Sequence, residues 1–262
     1  MKAAIFIESA GGEFFQKEAN LIVDSYNRTI SLYGLDMEVF TYKNCNDGIM
    51  HLEDHTILVP GDARGWADRI YELLVYIQDF IDCKWVIKTN TSTVLNLVEL
   101  DQFIEAHFHN QAWYHCFDMK FWGGEFTLNI LPGKFWLFPK EFIPTVIEDF
   151  YNMLPNIDCW WDYNWGTDQL HRAPDDAIIS YITTMKNVPA ETIPDNMVVD
   201  VYHDYFSNLD NLKPGDLRSA MVFILRMHVS DDIAEELRIR NEFEIKLMMF
   251  MIKLIEEFQN LN

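Results

Sequence analysis

The sequence predicts an α/β protein: a mixed, mostly parallel sheet flanked by helices, ending in a long C-terminal helix. Three observations lead there. The elements read strand, helix, strand, strand, helix, strand, helix over the first hundred or so residues, the order a largely parallel sheet requires. The chain has 262 residues and is 49% hydrophobic, enough to bury a core without disulfides or metals. No repeat, low-complexity stretch or Pro/Gly/Ser-rich linker interrupts it, so residues 1–262 are expected to form a single domain.

Each element has its own warrant. Residues 3–9, AAIFIES, form an apolar run with a polar end. Helical periodicity follows from Glu13 to Tyr33, with Phe15, Ile22, Tyr26 and Ile30 on one face and Gly34 as the stop. Strands are expected at 37–43 and 56–61. An amphipathic helix then spans Ala63 to Phe80, with Trp66, Ile70, Leu73, Leu74 and Ile77 inward. CKWVIKTN (83–90) is a fourth strand, Val94–His107 a helix, and QAWYHCF (111–117) another strand.

The pattern then changes. Phe121–Lys140 is aromatic and punctuated by Gly123, Gly124, Pro132 and Gly133. Lys140–Met153 looks helical, which requires Pro144 to lie in its first turn. A polar-aromatic loop, CWWDYNWGTDQLHRAPDD (159–176), precedes a short helix. Two strand-like pieces follow, MVVDVYH and AMVFILRMHV. The last helix starts near Ser230-Asp231-Asp232, which supplies a cap and acids at the positive end of its dipole.

Charge and cysteine usage narrow the function. Forty-one acids against 20 bases give a formal charge of −21, which repels nucleic-acid phosphates and anionic lipids. The four cysteines, Cys45, Cys83, Cys116 and Cys159, form no CxxC pair and read as reduced. No run approaches the ~20 apolar residues that span a bilayer. A soluble, cytoplasmic protein is expected.

In an open α/β sheet, ligands bind beyond the carboxyl ends of the strands. The tips there are Glu8-Ser9, Gly61-Asp62-Ala63-Arg64, Lys88-Thr89-Asn90-Thr91-Ser92 and the residues after Phe117. The last elbow has two readings. Thr91 or Ser92 could cap the next helix, with Lys88 snorkelling at the surface; or Lys88, Asn90 and Ser92 could hold a ligand. Asp175 and Asp176, between Pro174 and an apolar helix, are a helix cap or a general base. Three tryptophans in CWWDYNWG are packing or a wall for sugar rings. Arg226 and His228 alternate on one strand face, as a surface ion pair or a clamp on phosphate. No GxGxxG, GxxxxGK[ST], GxSxG or HExxH motif occurs.

Taken in order, these pieces resemble glycosyltransferases of the GT-A fold, and most nearly the fringe-like β1,3-glycosyltransferases. WVIKTNTSTVLNL looks like the family's strand leading into an Asp-x-Asp turn, with Asn90 and Ser92 in place of the aspartates. LPGKFWLFPKEFIPTVIEDF is similar to its glycine-rich aromatic stretch before a serine-started helix, with Pro139 at the serine position. APDDAIISYI is the nearest counterpart of its acid pair before a helix; KTNTST resembles the elbow of some bacterial and viral transferases, and LRMHV looks like their Arg-x-Lys strand, with His228 at the lysine position. The resemblance covers about residues 56 to 182 and implies a Rossmann-like GT-A domain.

It further implies a nucleotide-diphosphate sugar donor, a glycan acceptor and inverting transfer. Asp176 is then the base, with Asp175 orienting it or binding acceptor, and Trp160, Trp161 and Asp162 contact the acceptor. Ser9, Asp62, Arg64, Lys88, Asn90, Ser92, Arg226 and His228 form the donor side. The family uses Mn²⁺ or Mg²⁺ at the turn; Asn90 and Ser92 are poor substitutes for its carboxylates, so no metal ligand is assigned, Mn²⁺ or Mg²⁺ stays open as a cofactor, and protein cations are the alternative for neutralising the diphosphate. Two rival readings stand beside this one: a catalytically inactive carbohydrate- or nucleotide-binding protein of the same fold, and an assembly protein whose aromatic surface forms a homo-oligomer.

Overall fold

The computed structural model describes residues 1–9, 13–45, 51–60, 66–109, 111–116, 119–123, 126–130, 134–148, 150–152, 175–200, 219–225 and 234–260. The chain begins with β1 (Ala3–Glu8), α1 (Glu13–Tyr33), β2 (Met37–Cys45), β3 (His51–Glu53), β4 (Thr56–Pro60) and α2 (Trp66–Phe80). It continues through β5 (Trp85–Asn90), β6 (Thr93–Leu95), α3 (Leu97–Ala106), β7 (Trp113–His115), β8 (Met119–Gly123), β9 (Phe126–Ile130) and β10 (Phe135–Pro139). After these come α4 (Ile143–Ile147), α5 (Asp175–Met185), β11 (Ala190–Thr192), β12 (Val198–Asp200), β13 (Val222–Ile224) and α6 (Ala234–Asn260).

Eight strands form one sheet in the order β11-β7-β10-β5-β1-β2-β4-β3. Its centre is parallel, β5 to β1 to β2 to β4, while β10 runs antiparallel to β5 and β7. The mixed, mostly parallel sheet expected from the order of elements is therefore present. Three short strands, β12-β13-β6, make a second sheet, and β8 and β9 pair with each other.

Both faces of the large sheet are covered. Ala3, Ile5 and Ile7 of β1 point into a core shared with α1, α3, α6 and the small sheet. Ala4 and Phe6 point the other way, into a core shared with α2, α4 and α5. A strand buried on both faces must be apolar at every position, which is why AAIFI shows no alternation. On α1, Ile22 and Tyr26 lie buried one turn apart, and Gly34, at φ +63°, ends the helix in the left-handed conformation that glycine adopts at least cost. On α2, Ile70, Leu73, Leu74 and Ile77 are buried as the periodicity predicts. Among the described residues no helix is long and apolar enough to cross a membrane.

Three expectations are corrected. Val94–His107 is not one helix: Thr93–Leu95 is a strand paired antiparallel with β13, and the helix begins at Leu97. The β-branched Thr93 and Val94 find a sheet partner, and the Leu95 N–H donates to the Tyr26 hydroxyl at 2.7 Å. Secondly, FWLFP is a fully buried strand inserted between β5 and β7, where the sequence suggested only an aromatic stretch. Thirdly, Lys140–Phe142 forms a 3₁₀ turn and α4 starts at Ile143, with Pro144 in its first turn. The expected start of the last helix at Ser230-Asp231-Asp232 lies outside the described residues.

Candidate functional site

The carboxyl ends of β1 and β5 meet at one edge of the sheet, with Phe6 beside Lys88 and Glu8 beside Asn90. Trp136 of β10 flanks Lys88 from the other side, and Tyr42 of β2 flanks Glu8. The pleat places Glu8, Tyr42, Lys88 and Trp136 on the face covered by α2 and α5.

Lys88 is the centre of this cluster. Its side chain is 3% exposed, so it does not snorkel at the surface. Nζ lies 2.7 Å from Asp175 Oδ2 at the start of α5, 3.3 Å from Glu8 Oε2, and 4.7 Å from the centre of the Trp136 ring. Arg69 of α2 binds the other oxygen of Glu8. Arg69, Glu8, Lys88 and Asp175 thus form one chain of alternating charge beneath two helices. Charges this poorly solvated are tolerated because each has its opposite in contact.

The ionisation states follow from that geometry. Burial would raise the Glu8 carboxyl, but Lys88 and Arg69 outweigh it and hold Glu8 below the usual carboxylate range. Burial would lower the Lys88 ammonium, but Asp175 and Glu8 outweigh it and hold Lys88 above an ordinary lysine. Burial and the Glu8 charge push the Tyr42 phenol well up, keeping it neutral.

The elbow after β5 is bonded to itself. Asn90 Oδ1 accepts from the Ser92 N–H at 3.2 Å, the Ser92 hydroxyl at 2.9 Å and the Thr93 hydroxyl at 3.1 Å. Thr89 donates to the Lys134 carbonyl at 3.0 Å, and the Leu225 N–H donates to the Ser92 carbonyl at 2.8 Å. Neither Thr91 nor Ser92 caps the next helix; Asn96 does, accepting from the Glu99 N–H. The capping reading of the elbow is therefore corrected, because β6 intervenes. Ser9, at the tip of β1, is buried, and its N–H donates to the Tyr42 carbonyl at 3.0 Å.

At the start of α5, the Asp176 N–H donates to Asp175 Oδ1 at 3.0 Å and the Ala177 N–H to Asp176 Oδ1 at 2.9 Å. Both acids also lie in the first turn, where the helix dipole favours them. Asp175 therefore serves two ends, as a first-turn acid bonded to the Asp176 N–H and as counter-ion to Lys88.

Of the residues singled out from sequence, the structure gathers Ser9, Lys88, Asn90, Ser92, Asp175 and Asp176 around the β1 and β5 tips and the start of α5. Asp62, Arg64, Trp160, Trp161, Asp162, Arg226 and His228 lie outside the described residues. Sequence reasoning missed Arg69, Tyr42 and Trp136. Arg69 left a trace, a charge on the inward face of α2 next to Ile70. A cavity of ≈ 590 Å³ at the opposite edge, lined by Lys84, Trp85, Phe108 and Pro139 among others, shares no residue with this cluster.

No protein-family model matches the chain. No curated protein matches it either. Solved structures do. A glycosyltransferase involved in the glycosylation of the major capsid of PBCV-1 superposes with a TM-score of 0.52 at 11% identity, over 94% of this chain and 100% of that one. The galactosyltransferase LgtC, solved with donor and acceptor sugar analogs, gives 0.49 at 10% identity over 95% of both chains. The glycosyltransferase GlyE of Streptococcus pneumoniae TIGR4 gives 0.47 at 12% identity, over 96% of this chain and 62% of its own. The first of these shows that the chain shares a glycosyltransferase fold.

Proposed function

We propose that this protein is a glycosyltransferase of the fringe-like kind, moving a sugar from a nucleotide-diphosphate sugar to a glycan hydroxyl with inversion. The observation that carries the reading is the meeting of an acid pair with the tips of β1 and β5. Asp175 and Asp176 begin a helix held against the carboxyl edge of the parallel strands, where α/β sheets bind ligands. The shared fold supports it.

In this reading Asp176 takes the proton from the acceptor hydroxyl as that oxygen attacks the anomeric carbon and the nucleotide diphosphate leaves from the opposite face. Asp175, bound to Lys88, orients the helix start rather than accepting the proton. Ser9, Asn90 and Ser92 form the floor beneath the donor. Asp62 lies beside the donor, and Arg64, Arg226 and His228 supply the cations that draw off the diphosphate charge. Trp160 and Trp161 stack on the acceptor sugar, and Asp162 binds one of its hydroxyls.

The divalent ion that the family resemblance implies does not fit the described donors. Asn90 Oδ1 is filled, and Glu8 and Asp175 are paired with cations. No step is routed through a metal.

The test is hydrolysis and transfer with a panel of nucleotide-diphosphate sugars. One donor is expected to be turned over, and Asp176→Asn to slow it about 10²–10⁴-fold with nucleotide affinity kept. Binding without turnover would favour an inactive sugar- or nucleotide-binding protein. No binding of any donor would refute both.

A further inference from the structure

We infer that this site carries its own cation: Lys88 is a fixed positive charge at the turn where the family resemblance implies a divalent ion, and the elbow has no carboxylate to offer a metal. The functional meaning of this rests on the transferase reading; its chemistry rests on the cluster itself.

Asn90 stands at the first position of the Asp-x-Asp turn. An amide oxygen has two lone pairs. Three donors, the Ser92 N–H and hydroxyl and the Thr93 hydroxyl, already converge on Asn90 Oδ1 at 2.9–3.2 Å. Ser92 and Thr93 are fully buried, so these bonds are not traded for water. Ser92 keeps a hydroxyl oxygen, yet Mn²⁺ and Mg²⁺ are held by carboxylates, and a lone neutral hydroxyl does not replace them.

Two carboxylates at this edge, Glu8 and Asp175, are engaged by protein cations. Glu8 lies between Lys88 and Arg69, and Asp175 binds Lys88. An ammonium 2.7 Å from one carboxylate and 3.3 Å from the other, with Arg69 also on Glu8, neutralises both carboxylates without a metal ion. Among the described residues no group of three His, Cys, Asp or Glu side chains is placed to hold a metal. Lys88 is thus a positioning residue. It acts through Asp175, fixing the start of α5 and hence Asp176 against the tip of β5. The Trp136 ring lies beside its ammonium.

The experiment is a Mn²⁺ titration of the full chain followed by electron paramagnetic resonance, for the wild type, Lys88→Gln and Lys88→Gln/Asp175→Asn. Surface acids supply a weak background common to all three. The wild type is expected to bind no stoichiometric Mn²⁺. Removing the ammonium leaves Glu8 and Asp175 facing each other, so Lys88→Gln gains one bound Mn²⁺, which the second substitution removes. A stoichiometric Mn²⁺ on the wild type that Asn90→Ala abolishes overturns the inference, as does a folded Lys88→Gln that gains none. Should Lys88→Gln not fold, the wild-type titration decides alone. None of this requires turnover. Failure of the transferase reading would appear separately, as no donor hydrolysis and no nucleotide affinity.

Discussion

Lys88 Nζ and Asp175 Oδ2 lie 2.7 Å apart although 87 residues separate them in the chain. That contact joins the two segments that carry the family resemblance, the elbow after β5 and the acid pair before α5. Its strength is measurable. Lys88→Met leaves Asp175 and Glu8 without their shared cation, and Asp175→Ala leaves Lys88 half-paired. Each is expected to cost about 3–5 kcal/mol, the range for one partner removed from a buried pair. The double variant should cost clearly less than the sum of the singles, since neither charge is then stranded. Urea unfolding of the four proteins checks this, and strict additivity would mean that the pair is not coupled.

Acid stability should depend on Glu8. Its pKa in the folded protein lies below the ordinary 4.5. A depressed carboxyl contributes stability that is present above its unfolded pKa and is lost as pH falls through the folded one. The melting temperature should therefore fall steeply below about pH 4.5, and Glu8→Gln should flatten that limb while lowering stability at neutral pH. Lys88, raised above 10.5, works in the opposite window. Its contribution is complete below the unfolded pKa and is lost only as pH rises through the folded one, so nothing from Lys88 should change between pH 5 and 9. An unaltered acid limb in Glu8→Gln would contradict the assignment.

The cap of α3 separates the elbow from helix capping. Asn96 accepts from the Glu99 N–H at 3.5 Å and from Gln259 Nε2 of α6 at 3.1 Å. Asn96→Ala is expected to cost about 1 kcal/mol, the usual value of an N-cap. Thr91→Val should cost no cap at all, because Thr91 precedes β6 and not the helix. Chemical denaturation of both variants distinguishes them; the reverse order would restore the capping reading of the elbow.

What the sequence made legible was what local pattern determines. The alternation of apolar runs with periodic helices foretold the parallel centre of the sheet, and Gly34 marked the end of α1 because a positive φ needs such a residue. What it hid was set by distant partners. Val94 and Leu95 read as the first turn of a helix until β13 is there to pair with them. FWLFP reads as part of an aromatic stretch until β5 and β7 close on both its edges. At the site, Lys88, Asp175 and Asp176 stood out as charges beside apolar runs. The use of Lys88 did not, since nothing in its neighbourhood shows that Glu8, Asp175 and Arg69 converge there. Only the pairing of β5 with β1, and the docking of α2 and α5, assembles that chain.

Tyr26 offers a test of how far the elbow depends on the scaffold behind it. Its phenol is buried in α1 and accepts the Leu95 N–H at 2.7 Å, fastening β6, and so the end of the elbow, to the helix. Tyr26→Phe keeps the ring and removes the acceptor, stranding a buried N–H at a cost of about 1–3 kcal/mol. Because β6 follows Ser92 directly, the loss should also loosen the floor of the proposed donor site. Donor KM is then expected to rise while kcat holds, since Asp176 is anchored separately through Lys88 and Asp175. Calorimetry and steady-state kinetics on the one variant give both numbers. A lower kcat at constant KM would place the coupling at the acid pair instead, and would show that the two halves of the site move as one.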